Sequence, residues 1–126
     1  MEVKVSDLIG KSLAELRNVL TGAKRGSILE GDYVMFESRN IVDLYLYALA
    51  FLAAGKGVDL VKVLPNQFNT TGAPTTIVSD MKPIDHTNIY ARTHNSTAEK
   101  FYNLSKCFEE LSKKESIDPY VFVIEY

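Results

Sequence analysis

Hydrophobic residues fall in runs whose spacing changes along the chain, and each change marks an element. Met1 to Val5 alternates polar and apolar positions, the period of a short edge strand. Ser12-Leu13-Ala14-Glu15 is a capping box, and Leu16, Val19 and Leu20 follow it at helical spacing until Gly22 ends the helix. Tyr33-Val34-Met35-Phe36 is a continuous apolar run suited to a strand. After a polar elbow, Glu37-Ser38-Arg39-Asn40, the segment from Ile41 to Ala54 is apolar apart from Asp43. Asn40 is placed to cap that helix, with Asp43 as the acidic half of a capping box, and Gly55 supplies the left-handed residue that ends it. Val58 to Leu64 is rich in β-branched residues and predicts a second strand. Strand, helix and strand in that order form the unit that makes a right-handed parallel crossover.

A helix that is apolar nearly all round is buried on more than one side, under a sheet and against something else. Tyr45, Tyr47 and Phe51 are the large side chains expected at that second contact, and a sister subunit is its expected source. A membrane span needs about 20 apolar residues, and this run is shorter.

Between Asn66 and Asn95 the composition turns to Asn, Thr, Gly and Pro, with extended pieces at Thr75 to Ser79 and Asn88 to Arg92. Met81 to Asp85 is expected to turn the chain between them. A connection longer than about 15 residues is usually functional, so this excursion is a natural place for a site or a protein partner. Ser96-Thr97-Ala98-Glu99 is a second capping box, and behind it Phe101, Leu104, Phe108 and Leu111 form one apolar stripe. Pro119 opens a last strand, Tyr120 to Tyr126, apolar on both faces and hence expected inside the sheet.

These elements predict one domain over residues 1–126. Its parts are an N-terminal helical extension (1–31), the strand–helix–strand unit (32–64), the insertion (65–95) and a helix with a final strand (96–126). The fold class is α/β or α+β: a two-layer sandwich whose mixed sheet is built on the β-α-β crossover followed by α-β, with an extra N-terminal helix.

Composition narrows the function classes. An apolar fraction of 46% and a charged fraction of 24% are ordinary for a globular domain. No secretory signal is visible, and the single cysteine, Cys107, excludes an internal disulfide framework and fits a reducing, cytoplasmic setting. The formal net charge of −2 does not advertise nucleic acid, so any phosphate-binding face must be local.

The strand at Val34-Met35-Phe36, the elbow Ser38-Arg39-Asn40, the Leu-x-Ala-Leu-x-x-Leu spacing within Leu46 to Gly55, and Val58 to Leu64 together resemble the Alba family of archaeal chromatin and RNA-binding proteins. The resemblance covers half to two-thirds of the chain and implies a nucleic-acid-binding homodimer without enzymatic activity, of archaeal or viral origin. Family members place two basic residues in the elbow. Here Ser38 and Arg39 take those positions, so one cation carries over. The family's basic loop is replaced by the neutral excursion, and its basic hairpin is reduced or missing.

Arg39 stands where a strand meets a helix N-terminus, a place suited to an anion. Lys62, Arg92, and the basic loop residues Lys24 and Arg25 could add charge, and Tyr90 and Phe68 could stack on bases or cover the core. Asp85, His86 and His94 are the raw material for a metal site or hydrolase, but no ligand spacing is matched. Cys107 reads as a small core residue. No catalytic motif and no cofactor motif is present. The alternative to nucleic-acid binding is a protein-interaction module on the same scaffold.

Overall fold

The computed structural model describes residues 1–73 and 81–126. In chain order the first elements are β1 (Glu2–Lys4), α1 (Val5–Leu8), α2 (Leu13–Leu20), β2 (Arg25–Glu30), β3 (Tyr33–Ser38) and α3 (Ile41–Ala50), which runs on as a π-helical turn, Phe51–Gly55. Then come α4 (Leu60–Val63), β4 (Phe68–Asn69), β5 (Met81–Pro83), β6 (Tyr90–Arg92), α5 (Thr97–Ser112) and β7 (Tyr120–Glu125). A four-stranded sheet has the order β1-β7-β2-β3, and a three-stranded one the order β4-β6-β5. Every pair among these strands is antiparallel.

The two-layer α+β class is as expected, and so is the place of β7 inside the sheet between β1 and β2. The mixed sheet and the β-α-β crossover are corrected. Val58 to Leu64 is not a strand: Gly57 turns the chain at φ +71, and Asp59 then accepts the N–H of Lys62 at 3.2 Å, which nucleates α4. A cap satisfied locally outweighs β-branched propensity, which is a weak preference away from a sheet. The strand that takes the vacant place is Arg25–Glu30, part of which reads as a basic loop in the sequence. It joins β3 through Gly31-Asp32, with Gly31 at φ +60 in the first central position, as a type II′ hairpin asks.

The helix N-termini follow the sequence more closely, whereas Gly55, expected to end α3 in the left-handed region, closes the π-helical turn and Gly57 takes the positive φ. Ser12 and Glu15 form the reciprocal capping box, each bond 3.2 Å. Asn40 accepts from Asp43 N–H at 2.8 Å, while the Asp43 carboxylate takes the Asn40 side-chain amide at 2.9 Å instead of its backbone. Ser96 likewise caps α5, accepting from Glu99 N–H, but Glu99 receives the Ser96 hydroxyl and the second half of the box is not made. In the excursion, the extended piece expected at Asn88 to Arg92 is a strand over Tyr90–Arg92 only, with Asn88 in the preceding bend, and Met81–Pro83, read as a turn, is its hairpin partner. The strand expected at Thr75 to Ser79 lies outside the described residues.

The inner face of the large sheet carries Ile28, Tyr120, Phe122 and Ile124, all buried under α3 and α5. Phe122 meets Phe101 and Phe108 edge-on, with centroids 5.0 and 6.4 Å apart. Helix α3 buries Ile41, Leu44, Tyr45, Ala48 and Leu49 in a core that also takes Phe68, Ile84 and Ala91 from the small sheet region. Its second cover is the chain's own α5. Tyr45, expected at a subunit contact, is 1% exposed, and its hydroxyl accepts from Asn103 Nδ2 at 3.1 Å.

The sheet is tightest at Gly26, on β2 opposite Ile124. A Cβ added there would stand 2.5 Å from the carbonyl oxygen of Val123, a backbone atom that moves only if β2 and β7 separate. Gly26→Ala is expected to cost about 1–3 kcal/mol by overpacking, read as a lower urea midpoint with an unchanged slope.

Candidate functional site

Residues paired across a sheet share a face, so the register sorts the outer surface into rows. One row is Lys4, Val121, Leu29 and Val34; the next is Glu2, Val123, Ser27 and Glu37; Glu125 pairs with Arg25 beyond them. Burial alternates along β7, with Tyr120, Phe122 and Ile124 buried and Val121 and Val123 half-buried between them. The outer face thus has an aliphatic centre of Leu29, Val34, Val121 and Val123, framed by Glu2, Lys4, Arg25, Glu37 and Glu125. Val34 is 47% exposed and stands on β3, a strand with no neighbour on its far side among the described residues.

At one end of this face Arg25, Ser27, Ser38 and Arg39 line a concavity of about 460 Å³ with Glu37 and Glu125. The elbow is shaped by Ser38, whose hydroxyl accepts from Asn40 N–H at 3.2 Å and leads the chain into α3. Arg25 Nε lies 2.8 Å from the Glu125 carboxylate, with both side chains more than half exposed, so the pair contributes little to stability. Two arginines face two glutamates, and the formal charge of the concavity balances. Lys24 adjoins it, its N–H donating to Glu125 O. Of the six residues expected to meet nucleic acid, Ser38, Arg39, Arg25 and neighbouring Lys24 come together. Lys62 does not join them. It lines another hollow, on α4 and α5, with Lys106, Lys114 and Glu109. Arg92 sits in the small sheet, with Nε buried and without a hydrogen-bond partner.

A groove of about 690 Å³ runs between β3, α3 and the β5–β6 turn, lined by Phe36, Leu46, Tyr47, Ala50 and Phe51, with Asp43, Asp85 and His86 at its edges. Phe36 and Tyr47 are stacked, centroids 4.4 Å apart and planes 6° from parallel. Phe51 packs edge-on against Tyr120 and lies under the Lys56 ammonium, which also bridges Glu115 at 2.9 Å. Tyr47 and Phe51 are thus half-buried groove residues. His86 occupies the left-handed region at φ 63 in the turn, whereas His94 is exposed in the segment before α5. Among the described residues no three His, Cys, Asp or Glu side chains are gathered as a metal ion requires, so Asp85, His86 and His94 do not form the triad their types allowed.

Behind α5 lies a buried polar cluster that the sequence does not announce. Lys100 is 4% exposed, and its ammonium donates to the carbonyls of Thr93 at 3.1 Å and Asn95 at 2.7 Å. Burial pulls its pKa below the ordinary lysine value. Asn95 and Asn103 both donate to Gln67 Oε1, which ties the small sheet to α5. Its sequence signal is a lone lysine one turn into a helix. Cys107 is a core residue as expected, its thiol pushed up to about 12 by burial.

Searches against protein-family models, curated proteins and solved structures found no match for this chain. Among the described residues no helix is long and apolar enough to cross a membrane.

Two outcomes follow from the buried groups. Lys100→Met leaves two carbonyls without their donor and is expected to cost about 1–3 kcal/mol, with faster amide exchange confined first to residues 93–96. Cys107 should resist a thiol reagent until the chain unfolds. Between the ordinary thiol value of 9.0 and about 12 the unfolded chain releases a proton that the folded chain keeps. The Cys107 contribution to stability therefore falls as pH rises through that window, a dependence that Cys107→Ala removes.

Proposed function

We propose that the chain is a non-enzymatic interaction module that docks a protein partner on the uncovered face of its large sheet. The observation that carries this reading is the aliphatic centre of Leu29, Val34, Val121 and Val123, framed by charges of both signs. An apolar core inside a polar rim is the anatomy of a protein–protein contact. A sheet face of four strands and six residues measures roughly 20 by 20 Å, or about 400 Å². A standard interface takes about 800 Å² from each partner, so one copy of the face supports a transient contact.

Central-strand variants Val121→Lys and Val123→Lys test this. Their side chains point away from the core, so melting should change little. The partner recovered by the wild-type chain from its native cell should be lost with each variant and kept with Lys62→Glu, on another surface. Equal recovery by all of them, or none by the wild type, removes the reading.

Arg25, Arg39, Ser27 and Ser38 favour a second reading, in which the concavity at the elbow takes the phosphate backbone of DNA or RNA. Glu37 and Glu125 oppose it, and the outer rows offer no aromatic ring for base stacking. Gel-shift titration with duplex DNA and with RNA decides it: phosphate binding should weaken steeply with salt and fall further with Arg39→Glu. An affinity indifferent to both excludes that reading.

A further inference from the structure

The two edges of the large sheet are unequal. Edge β1 has three residues, two of them charged, which is how an edge is kept from pairing. Edge β3 has six, Tyr33 to Ser38, with Tyr33 71% and Val34 47% exposed. Its register against β2 shifts between Ile28, which faces Phe36, and Leu29, which faces Val34, so Met35 is an extra residue. A bulge of this kind usually discourages edge pairing. Here it has another consequence.

When a strand pairs antiparallel with its own copy, residues i and j face each other where i + j is constant, and facing residues must share a side of the sheet. In a regular strand that sum is even. The extra residue at Met35 makes it odd for pairs that span the bulge. Val34 and Glu37 lie on the outer face, opposite Leu29 and Ser27, while Ser38 lies on the inner face, opposite Gly26. Tyr33, one step from Val34, is also inner by alternation. The register that sets Val34 against Glu37 of a second copy therefore also sets Tyr33 against Ser38 on matching sides, and Met35 against Phe36, both of which pack against the core on the inner side. The next pair outward is Asp32 against Arg39. These are opposite charges, both exposed, and neither has an ion-pair partner in its own chain among the described residues.

We propose that a second copy of this chain pairs along β3 in that register, giving a two-fold dimer with a continuous eight-stranded sheet. The axis is perpendicular to the sheet, so the two outer faces join into one platform of roughly 800 Å². That is the area one side of a standard interface needs, and this last step rests on the docking reading above. The seam holds two Asp32–Arg39 pairs, one at each end, and the apolar pair Met35 and Phe36 at its centre. The expected homodimer is thus assigned to a strand edge, with Tyr47 only flanking it through Phe36.

Sedimentation of the whole chain over a range of concentrations, without any partner, tests the dimer. The wild type should show a monomer–dimer equilibrium. Asp32→Arg and Arg39→Asp should each raise the dissociation constant about tenfold by replacing attraction with repulsion at both ends, and the double variant should return it to within a few-fold of wild type. Both residues are exposed, so circular dichroism should be unchanged throughout. A wild-type monomer at every concentration overturns the proposal, as do single variants without effect or a double variant weaker than either. A dimer that captures no partner keeps this inference and removes the docking reading. A monomer whose capture depends on Val121 and Val123 does the reverse.

Discussion

The pairing of β2 with β7 is the constraint on which the rest of this structure depends. It joins Arg25–Glu30 to Tyr120–Glu125 across most of the chain, and what lies between those strands, apart from β3, has to be folded away on one side of them. The inner side of β7 receives the aromatic stripe of α5 and the edge of Phe51, so Tyr120 and Phe122 are clamped by rings from two helices. Closing so long a loop is entropically costly, and the return is made in buried aromatic area instead of in any polar contact. Gly26 belongs to the same logic. A Cβ there would press on the Val123 carbonyl of β7 and on Leu44 of α3 at once.

How much of this was legible depended on whether the decisive interaction was local. The capping side chains of Ser12, Asn40 and Ser96 announce three helices because their hydrogen bonds close within three residues. The stripe Phe101, Leu104, Phe108 and Leu111 reads as one face because helical spacing is local too, and all four are in the core. β2 was missed for the opposite reason. Arg25, Gly26 and Ser27 have weak strand propensity, and they are extended because β7 and β3 supply partners on both sides. The one local clue was the pair Gly31-Asp32 between two extended runs, a type II′ hairpin signal. Val58 to Leu64 failed in reverse: its composition says strand, yet Asp59 and Gly57 punctuate it as a helical turn.

The same division explains the site. Arg25 stands more than ten residues before Ser38 and Arg39 in sequence, yet a hairpin and an elbow bring all three to one concavity at the end of the sheet. Glu37 and Glu125 share that concavity and change its charge, and strand pairing alone decides this. The polar cluster around Lys100 was invisible because nothing in the sequence marks a lysine whose ammonium will be enclosed by two carbonyls. Tyr45 shows the hazard of reading function from an all-apolar helix. Its burial is real, but the cover is the chain's own α5, so a fully apolar α3 is no longer a reason to invoke a sister subunit.

What remains unpaired after the core is complete is therefore the better guide. Helices α3 and α5 serve the inner face, α2 and α4 pack on α5, and the outer face and the β3 edge are served by nothing among the described residues. A solvated sheet face ordinarily carries polar residues at alternate positions. Along β7 and β2 those positions are Val121, Val123 and Leu29, with Ser27 the only polar one between the charged rims. Valine and leucine at solvent-facing positions of central strands add β-propensity at the cost of solubility, and a partner surface gives them a second use. An edge strand whose extra residue brings like-facing side chains into register with its own copy has the same character. Both features are neutral to folding the monomer, and both become productive when the sheet is extended and its outer face covered.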